Sequence, residues 1–194
     1  KMGVQYKIVD GYINAKVKNG LIGAKIKFPK ISVGATENLM IAACLAKGQT
    51  ILSNCAIEPE IKDLSNFLCS IGAKIIWTGK RQVKIIGVKT FKQSNYKVMF
   101  DRIEAGTMLV AAATNQGNLK ITAIESDVLK TEIDVLKKVG AKIIQKKNEI
   151  IIQGNKKIKN INIKTSPYPG FPTDLQSQLM VLLCKANKKS IIKE

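Results

Sequence analysis

The sequence predicts a mixed α/β (α+β) protein made of repeated βαβαββ units. The main observation is a repeat: the segment that begins at Gly3 recurs at Gly72 and at Gly140, with a period of about 69 residues. The runs of small apolar residues that follow Gly34 and Glu104 match each other in the same way. A repeat of this length contains both helices and strands, so we expect two whole cycles and part of a third.

The strands of the first half are short apolar or alternating segments bounded by turn residues. The clearest boundary is Asp10-Gly11, because Asp-Gly favours the tight loop of a hairpin. Strands are predicted at residues 6–9, 12–15, 21–28, 50–53, 74–77 and 82–86.

Two helices of different character are predicted between these strands. The first runs from Gly34 to Lys47 and is ended by Gly48; its small residues allow close packing, so we expect it to be buried. The second begins at Pro59 and has one apolar and one polar face, because its apolar residues recur with the helical period up to Gly72. We therefore expect it at the periphery.

The second half repeats this order. A small-residue helix is predicted from Ala105 to Asn115, and a two-faced helix ends at Gly140. Strands are predicted at residues 118–124, 141–144, 149–152 and 158–163, and a third small-residue segment covers residues 172–183. The cycles begin and end inside a unit, which leaves open sheet edges, so we expect a fold that is incomplete at both ends.

The composition favours a soluble, cytoplasmic protein. Hydrophobic residues make up 45% of the chain, but no apolar run reaches the roughly 18 residues of a membrane span, and residues 1–6 lack the apolar core expected of a signal peptide. The net charge of +18 has three interpretations: nucleic-acid binding, a lysine-rich surface, or attraction of small anionic substrates. We favour the lysine-rich surface, because aromatic residues are only 5% and none is interleaved with a basic run.

The available side chains limit the chemistry. There is no histidine, so proton transfer must use Asp, Glu, Lys, Cys or Tyr. The four cysteines lack the C-x-x-C spacing of a metal or redox motif; they are Cys44, Cys55, Cys69 and Cys184. We expect reduced, mostly buried thiols and no metal site.

Four segments at predicted helix starts could carry chemistry. Residues 30–34 (Lys30, Ile31, Ser32, Val33 and Gly34) place a lysine beside a helix N-terminus, whose backbone N–H groups attract phosphate. The alternative for this segment is an ordinary serine N-cap. The other three segments carry acids, and each has its own alternative. The two acids of Glu58-Pro59-Glu60 could simply complement a helix dipole. Asp101-Arg102-Ile103-Glu104 could be a capping aspartate with an ion pair, and the aspartate of Phe171-Pro172-Thr173-Asp174 could be an N-cap.

The placement of these segments is shared, because each lies where a helix of a repeated unit begins. In repeated units, the N-terminal ends of equivalent helices can converge on one cleft. That arrangement would bring together Lys30, Ser32, Asp101 and Asp174 from distant parts of the sequence.

Four segments resemble the UDP-N-acetylglucosamine 1-carboxyvinyltransferase family, in the same order and with similar gaps. They are residues 32–38, 58–61, 101–107 and 171–176. The members of this family are the enolpyruvyl transferases of peptidoglycan synthesis. The resemblance implies two similar domains, each an inverse α/β barrel of three βαβαββ units, with the active site between them. Residues 1–98 would be part of the first domain and residues 99–194 part of the second.

The resemblance also implies a reaction and its partners. The enolpyruvyl group of phosphoenolpyruvate moves to the 3-hydroxyl of UDP-N-acetylglucosamine, by addition and elimination through a tetrahedral intermediate that releases phosphate. It implies no metal or organic cofactor, no nucleic-acid or membrane partner, and a monomeric full-length enzyme that serves cell-wall synthesis and, through it, cell shape, cell cycle and cell division.

Site residues follow from the resemblance position by position. Residues 30–34 match the stretch that holds the UDP part of the sugar nucleotide, and Asp174 matches the aspartate beside the sugar hydroxyl, a candidate general base. Glu58, Asp101 and Arg102 match residues that line the cleft.

Other parts of the family's site have no match in these residues. The family's cysteine-bearing loop and N-terminal lysine would precede Lys1, and its arginine for phosphoenolpyruvate would follow Glu194. We therefore expect the 194-residue chain to be inactive alone. Three alternatives remain open: the related enzyme that acts on shikimate 3-phosphate, a basic, non-catalytic repeat module that binds nucleic acid, and a decayed or truncated gene product with no present function.

Overall fold

The computed structural model describes all 194 residues and divides them into two compact units, Lys1–Met99 and Phe100–Glu194. Each unit has its own cluster of buried apolar side chains. Strands from each half of the sequence pair only within that half.

The first unit contains six strands and two helices. They are β1 (Gln5–Val9), β2 (Tyr12–Lys16), β3 (Lys25–Lys27), α1 (Val33–Cys44), β4 (Gln49–Ser53), α2 (Pro59–Ser70), β5 (Lys74–Gly79) and β6 (Gln82–Ile86). A four-stranded sheet has the order β3-β4-β6-β5, in which β3 and β4 are parallel and the other pairs antiparallel. The elements from β3 to β6 form the predicted βαβαββ unit.

The hairpin of β1 and β2 is separate from this sheet, and it confirms the prediction made from Asp10-Gly11. Val9 pairs with Tyr12 across the turn. Asp10 has φ 50° and Gly11 has φ 79°, the left-handed values that a tight hairpin loop requires at both positions. All residues of both strands are exposed, including the apolar side chains.

The second unit contains three helices and five strands. They are α3 (Arg102–Thr114), β7 (Asn118–Thr122), α4 (Lys130–Lys138), β8 (Lys142–Lys146), β9 (Glu149–Gln153), β10 (Asn162–Lys164), α5 (Gln176–Leu183) and β11 (Ile191–Lys193). Two short 3₁₀ turns, Ser126–Leu129 and Thr173–Leu175, precede α4 and α5. The sheet order is β7-β9-β8, and β10 pairs with β11 in parallel. The segment β10–α5–β11 thus repeats β3–α1–β4.

The glycine that marks the repeat has one structural role in all three copies. Gly3, Gly72 and Gly140 have φ values of 83°, 102° and 108°. Side chains rarely adopt this left-handed region, so glycine allows the chain to turn into the hairpin that follows each time. The sequence repeat is therefore a repeat of backbone conformation.

Several predicted boundaries were wrong. The strand expected at residues 21–28 is regular only at Lys25–Lys27, although Gly23 N still donates to Lys47 O at 2.8 Å. The helix expected to reach Lys47 ends at Cys44, because Lys47 N donates to Leu21 O across the sheet instead of continuing the helix. The strand expected at residues 158–163 lies at Asn162–Lys164, where it pairs with β11.

The second unit also lacks the first strand of a βαβαββ unit, because no strand lies between Ile86 and Arg102. This stretch is attached to α2 instead. The Tyr96 hydroxyl donates to Asp63 Oδ1 at 2.8 Å, and Met99 N donates to Asp63 Oδ2 at 3.4 Å. These contacts to a side chain replace the ladder of backbone hydrogen bonds that a strand needs.

The small-residue helices are buried on only part of their surface. Met40 and Ala43 of α1 are fully buried, but Ile41 and Leu45 at its end are about half exposed. Met108 of α3 and Met180 of α5 are exposed in the same way. The expectation that the first helix is buried was therefore only partly correct, because elements of its own unit cover just one side of it.

Candidate functional site

The candidate site of the first unit lies where the parallel strands β3 and β4 end. Phe28 N donates to Ser53 O at 3.0 Å, and the Asn54 side-chain amide donates to Phe28 O at 3.0 Å. These bonds join the carboxyl ends of the two strands. The loops that follow them carry residues 30–34 and Glu58, so both predicted segments lie at one edge of the sheet, where α/β folds commonly bind ligands.

Ser32 begins α1 as its N-cap. Its Oγ accepts a hydrogen bond from Ala35 N at 3.2 Å, and its carbonyl oxygen accepts one from Thr36 N at 3.1 Å. The serine cap that the sequence left as an alternative is therefore present. It does not exclude anion binding, because the cap is neutral, Lys30 and Ser32 are exposed, and the cap occupies the amides of Ala35 and Thr36 but not those of Val33 and Gly34.

Thr36 connects the start of α1 to the loop after β4. Its hydroxyl donates to Ser32 O at 2.7 Å and accepts from Ala56 N at 3.0 Å, and the side chain is fully buried. This residue fixes the spacing between residues 30–34 and the Glu58 loop. No local pattern indicates this role, because Ala56 is 20 residues away in the sequence.

Glu58 occupies the position before Pro59 at the start of α2, and only 6% of it is exposed. Its side chain makes no capping hydrogen bond, and Glu60 lies in the first turn of α2, which is compatible with the alternative that the two acids complement the helix dipole. Arg81 lies at the same loop: its Nη1 donates to Cys55 O at 2.9 Å, and its carbonyl accepts from Cys55 N at 3.0 Å. Sequence reasoning missed Arg81, whose only signal was a basic residue in the turn between β5 and β6.

The candidate site of the second unit begins with Asp101, the N-cap of α3. Its Oδ1 accepts from Ile103 N at 2.7 Å and from Glu104 N at 3.1 Å. The next residue, Arg102, points into the unit: it is 4% exposed, and its Nη1 donates to Glu132 at 2.8 Å. The alternative of a capping aspartate with an ion pair is therefore the arrangement found. Arg102 was predicted to line a cleft, but its side chain is buried inside this unit.

Asp174 lies at the same end of the second unit as Asp101. Helices α3 and α5 run in the same direction, because Gln178 Nε2 donates to the Thr107 hydroxyl at 3.0 Å and, further along, Lys185 Nζ donates to Thr114 O at 2.7 Å. Their N-terminal ends therefore lie together. Asp174 is exposed in the 3₁₀ turn before α5 and makes no capping hydrogen bond, so the capping alternative is wrong here and its carboxylate is open to a ligand.

The cysteines and acidic side chains form no additional reactive-thiol or metal-binding site. Burial raises the pKa of the Cys44 and Cys55 thiols to about 11, so both are protonated and weakly nucleophilic at neutral pH. Cys69 and Cys184 are exposed, so the expectation of mostly buried thiols was wrong for two of the four. No three Cys, Asp or Glu side chains meet as metal ligands, and no helix is long and apolar enough to cross a membrane.

A model of the family "EPSP synthase (3-phosphoshikimate 1-carboxyvinyltransferase)" matches residues 1–194, the whole chain. The chain belongs to this family. Its mixed α/β fold is accordingly that of the enolpyruvyl transferases, as the sequence predicted.

Curated relatives of the family resemble the chain over its whole length. It is 71% identical over 194 residues to the UDP-N-acetylglucosamine 1-carboxyvinyltransferase of Pelagibacter ubique (strain HTCC1062), and 47% identical over 193 residues to the protein of the same name from Geotalea uraniireducens (strain Rf4). All of this chain is covered, but only 46% of each relative. The chain thus spans about half the length of these relatives.

Solved structures of family members share the fold. The enolpyruvyl transferase NikO from Streptomyces tendae matches with a TM-score of 0.87 at 20% identity, covering 98% of this chain and 48% of that one. EPSP synthase from Acinetobacter baumannii matches with a TM-score of 0.62 at 17% identity, covering 98% of this chain and 45% of that one. At these identities the match shows the fold alone and does not indicate which substrate is bound.

Proposed function

We propose that this chain supplies about half of a UDP-N-acetylglucosamine 1-carboxyvinyltransferase, which transfers the enolpyruvyl group of phosphoenolpyruvate to the sugar 3-hydroxyl. The observation that carries the proposal is the 71% identity, over the whole chain, to a relative of that name. The shikimate alternative has in its favour the family description and a fold match to EPSP synthase at 17% identity, which concerns the architecture alone. The relatives with high identity do not support the nucleic-acid alternative. The product is a precursor of peptidoglycan, and the enzyme works in the cytoplasm as a monomer.

Residues 30–34 hold the diphosphate and uridine part of the acceptor. Lys30 supplies a positive charge, and the first turn of α1 supplies backbone N–H donors and the positive end of the helix dipole. Ser32 keeps its capping hydrogen bond, and the exposed part of its side chain contacts the ligand. Gly34 has open space around the position of a Cβ atom, so its backbone can be approached closely.

Asp174 accepts the proton of the sugar 3-hydroxyl. The hydroxyl oxygen then forms a bond to C2 of the enolpyruvyl group while a proton from a donor outside these residues reaches C3. Loss of phosphate and of the C3 proton restores the double bond. An ionised carboxylate is a weak base, so alignment with the hydroxyl supplies much of its effect.

The remaining predicted residues act around this step. Glu58 borders the ligand-binding edge of the first unit and Asp101 that of the second, and Arg102 supports the start of α3 from inside the second unit. Residues 1–98 are part of one enolpyruvyl-transferase domain and residues 99–194 part of the other. The reaction needs neither a metal nor an organic cofactor, and neither nucleic acid nor a membrane takes part.

The test is a chimera, in which this chain replaces the matched segment of the Pelagibacter ubique relative. Phosphate release would be measured with phosphoenolpyruvate and either UDP-N-acetylglucosamine or shikimate 3-phosphate as acceptor. We expect turnover with the sugar nucleotide alone, and none from the 194-residue chain by itself.

Three results would contradict the proposal. Turnover with shikimate 3-phosphate would favour the related enzyme. A folded chimera with no turnover would mean that this chain cannot supply its part of the site. Product formation by the isolated chain would show that no further residues are needed.

A further inference from the structure

A buried ion pair joins α3 and α4 beneath the Asp174 end of the second unit. Arg102 Nη1 lies 2.8 Å from Glu132 Oε1, and each side chain is 4% exposed. Burying two charges costs several kcal/mol of desolvation per ion, and a well-packed apolar pair at such a place is often as stable or more so. Stability alone therefore does not account for this pair.

The pair and its neighbour on α4 both contact the segment 165–175, which leads to Asp174. The Tyr168 ring lies against the Arg102 guanidinium, with 5.7 Å between Arg102 Cζ and the ring centroid. The Thr131 hydroxyl donates to Pro169 O at 2.6 Å. Two adjacent residues of α4, Thr131 and Glu132, thus hold the segment, one directly and one through Arg102.

The segment is compact between this attachment and Asp174. Ser166 N donates to Phe171 O at 3.0 Å, Gly170 N to Pro167 O at 2.9 Å, and Leu175 N to Pro172 O at 3.2 Å. Phe171 is buried in the core. A shift at Tyr168 is therefore transmitted along a short, internally bonded chain.

The far end of the segment is held by close packing. Leu175, the residue after Asp174, is fully buried, and a Cβ added to Gly106 of α3 would lie 2.5 Å from Leu175 Cδ1. Glycine at position 106 thus permits this contact. Asp174 stands between the Leu175 anchor and the Tyr168 anchor.

We propose that the Arg102–Glu132 pair is a positioning device for Asp174, acting through the Arg102 guanidinium, which lies over the Tyr168 ring. A guanidinium can bond a carboxylate and at the same time place its charge over an aromatic ring, which no apolar side chain can do. The inference deepens the proposed function, on which the role of Asp174 as base rests.

The experiment compares two double variants of the chimera. Arg102→Met/Glu132→Met removes the buried pair without leaving a lone charge, so we expect an unfolding midpoint close to that of the parent chimera. The control, Lys130→Met/Asp134→Met, removes an exposed ion pair from the same helix, whose Lys130 Nζ lies 2.9 Å from Asp134 Oδ2. Both variants introduce two methionines and remove one ion pair.

Two readouts separate positioning from support of the fold. In the buried-pair variant we expect the amides of Ser166, Gly170 and Leu175 to exchange hydrogen about tenfold faster or more, while the amides of β9 are unchanged. We expect kcat to fall roughly tenfold to a hundredfold with little change in KM for the nucleotide, which residues 30–34 hold. The control should change each quantity by less than about twofold.

A buried-pair variant with parent-like exchange in the segment 165–175, or with exchange raised equally throughout the second unit, would overturn the positioning role. If that variant does not fold, Tyr168→Leu decides: it keeps the ion pair, and unchanged kcat would equally refute the proposal. A parent chimera that folds but has no activity would refute the proposed function alone, because the exchange comparison can still be made.

Discussion

The two small-residue helices α1 and α3 occupy equivalent places in the repeat but begin with opposite electrostatic character. Ser32 caps α1 with a neutral hydroxyl through one side-chain hydrogen bond of 3.2 Å, close in sequence to Lys30. Asp101 caps α3 with a carboxylate through two hydrogen bonds of 2.7 and 3.1 Å. The second cap places a negative charge where the first leaves the positive end of the helix dipole exposed.

This difference indicates how a duplicated unit can serve two tasks. The N-terminus of α1 keeps its attraction for an anion, as the proposed binding of a nucleotide diphosphate requires. The equivalent end of the second unit is acidic, with Asp101 and Asp174 together, and suits proton transfer from a hydroxyl. Substitutions that exchange the charges at the N-terminal ends of α1 and α3 are the most direct way to test whether these ends have separate roles.

The largest effect is expected when Asp174, the proposed base, is removed from the acidic end of the second unit. In the chimera, Asp174→Asn should lower kcat roughly a hundredfold to ten-thousandfold, because an amide cannot accept the hydroxyl proton. Asp174 is exposed and caps nothing, so the unfolding midpoint should not change. Steady-state kinetics and thermal unfolding would measure both, and a kcat within a few-fold of the parent would remove Asp174 from the mechanism.

The next largest effect should follow when the acidic cap is transferred to the first unit. Ser32→Asp keeps a good N-cap, so stability should be nearly unchanged. It also places a negative charge beside the nucleotide phosphates; repulsion of about 1–4 kcal/mol at 4 Å would weaken binding roughly fivefold to several hundredfold. Titration calorimetry with UDP-N-acetylglucosamine would measure this.

Ser32→Asn is the matched control for that experiment, because it caps equally well without a charge. Its affinity should stay close to that of the parent chimera. Equal losses for the Asp and Asn variants would show that the hydroxyl matters and the charge does not.

A smaller effect is expected when the charged cap is removed from the second unit. Asp101→Ala leaves the amides of Ile103 and Glu104 without their shared acceptor and should cost about 1 kcal/mol in the free energy of unfolding. Asp101→Ser, which copies the first unit, should restore most of it. Urea unfolding of the three proteins provides the measurement, and an alanine variant as stable as the parent would contradict the capping role.

The smallest effect concerns β9 of the second unit and its equivalent β6 in the first. Their first residues, Glu149 and Gln82, show the same contrast of charge. Glu149, which pairs with Thr122, receives hydrogen bonds from Lys120 and Lys146 that lower its pKa from 4.5 to about 2. Gln82, which pairs with Ser53, makes neutral hydrogen bonds instead.

Because folding lowers the pKa of Glu149, its contribution to stability is complete above about pH 4.5 and is lost as the pH falls toward 2. Glu149→Gln should therefore reduce stability at pH 6 and reduce it less at pH 2.5. Chemical unfolding at the two pH values measures the difference, and a reduction that is equal at both would contradict the shifted pKa.

The sequence determined what depends on neighbouring residues. Asp10-Gly11 defined the hairpin, the glycines at 3, 72 and 140 marked the repeat, and Pro59 marked the start of α2, because turn chemistry and apolar periodicity are local properties. The helix starts that carry Lys30, Asp101 and Asp174 could be found for the same reason. The resemblance then supplied the proposed roles of these residues.

Only the tertiary structure decided which of those residues are buried and which remain exposed. Arg102 follows Asp101 directly, yet it is buried on Glu132, 30 residues away, and Thr36 and Arg81 acquire their roles through contacts with residues 20 and 26 positions distant. Such contacts depend on how helices and strands pack, and burial of a charge depends on the partner that packing supplies. A local sequence pattern contains neither the packing of the helices and strands nor the partner of a buried charge.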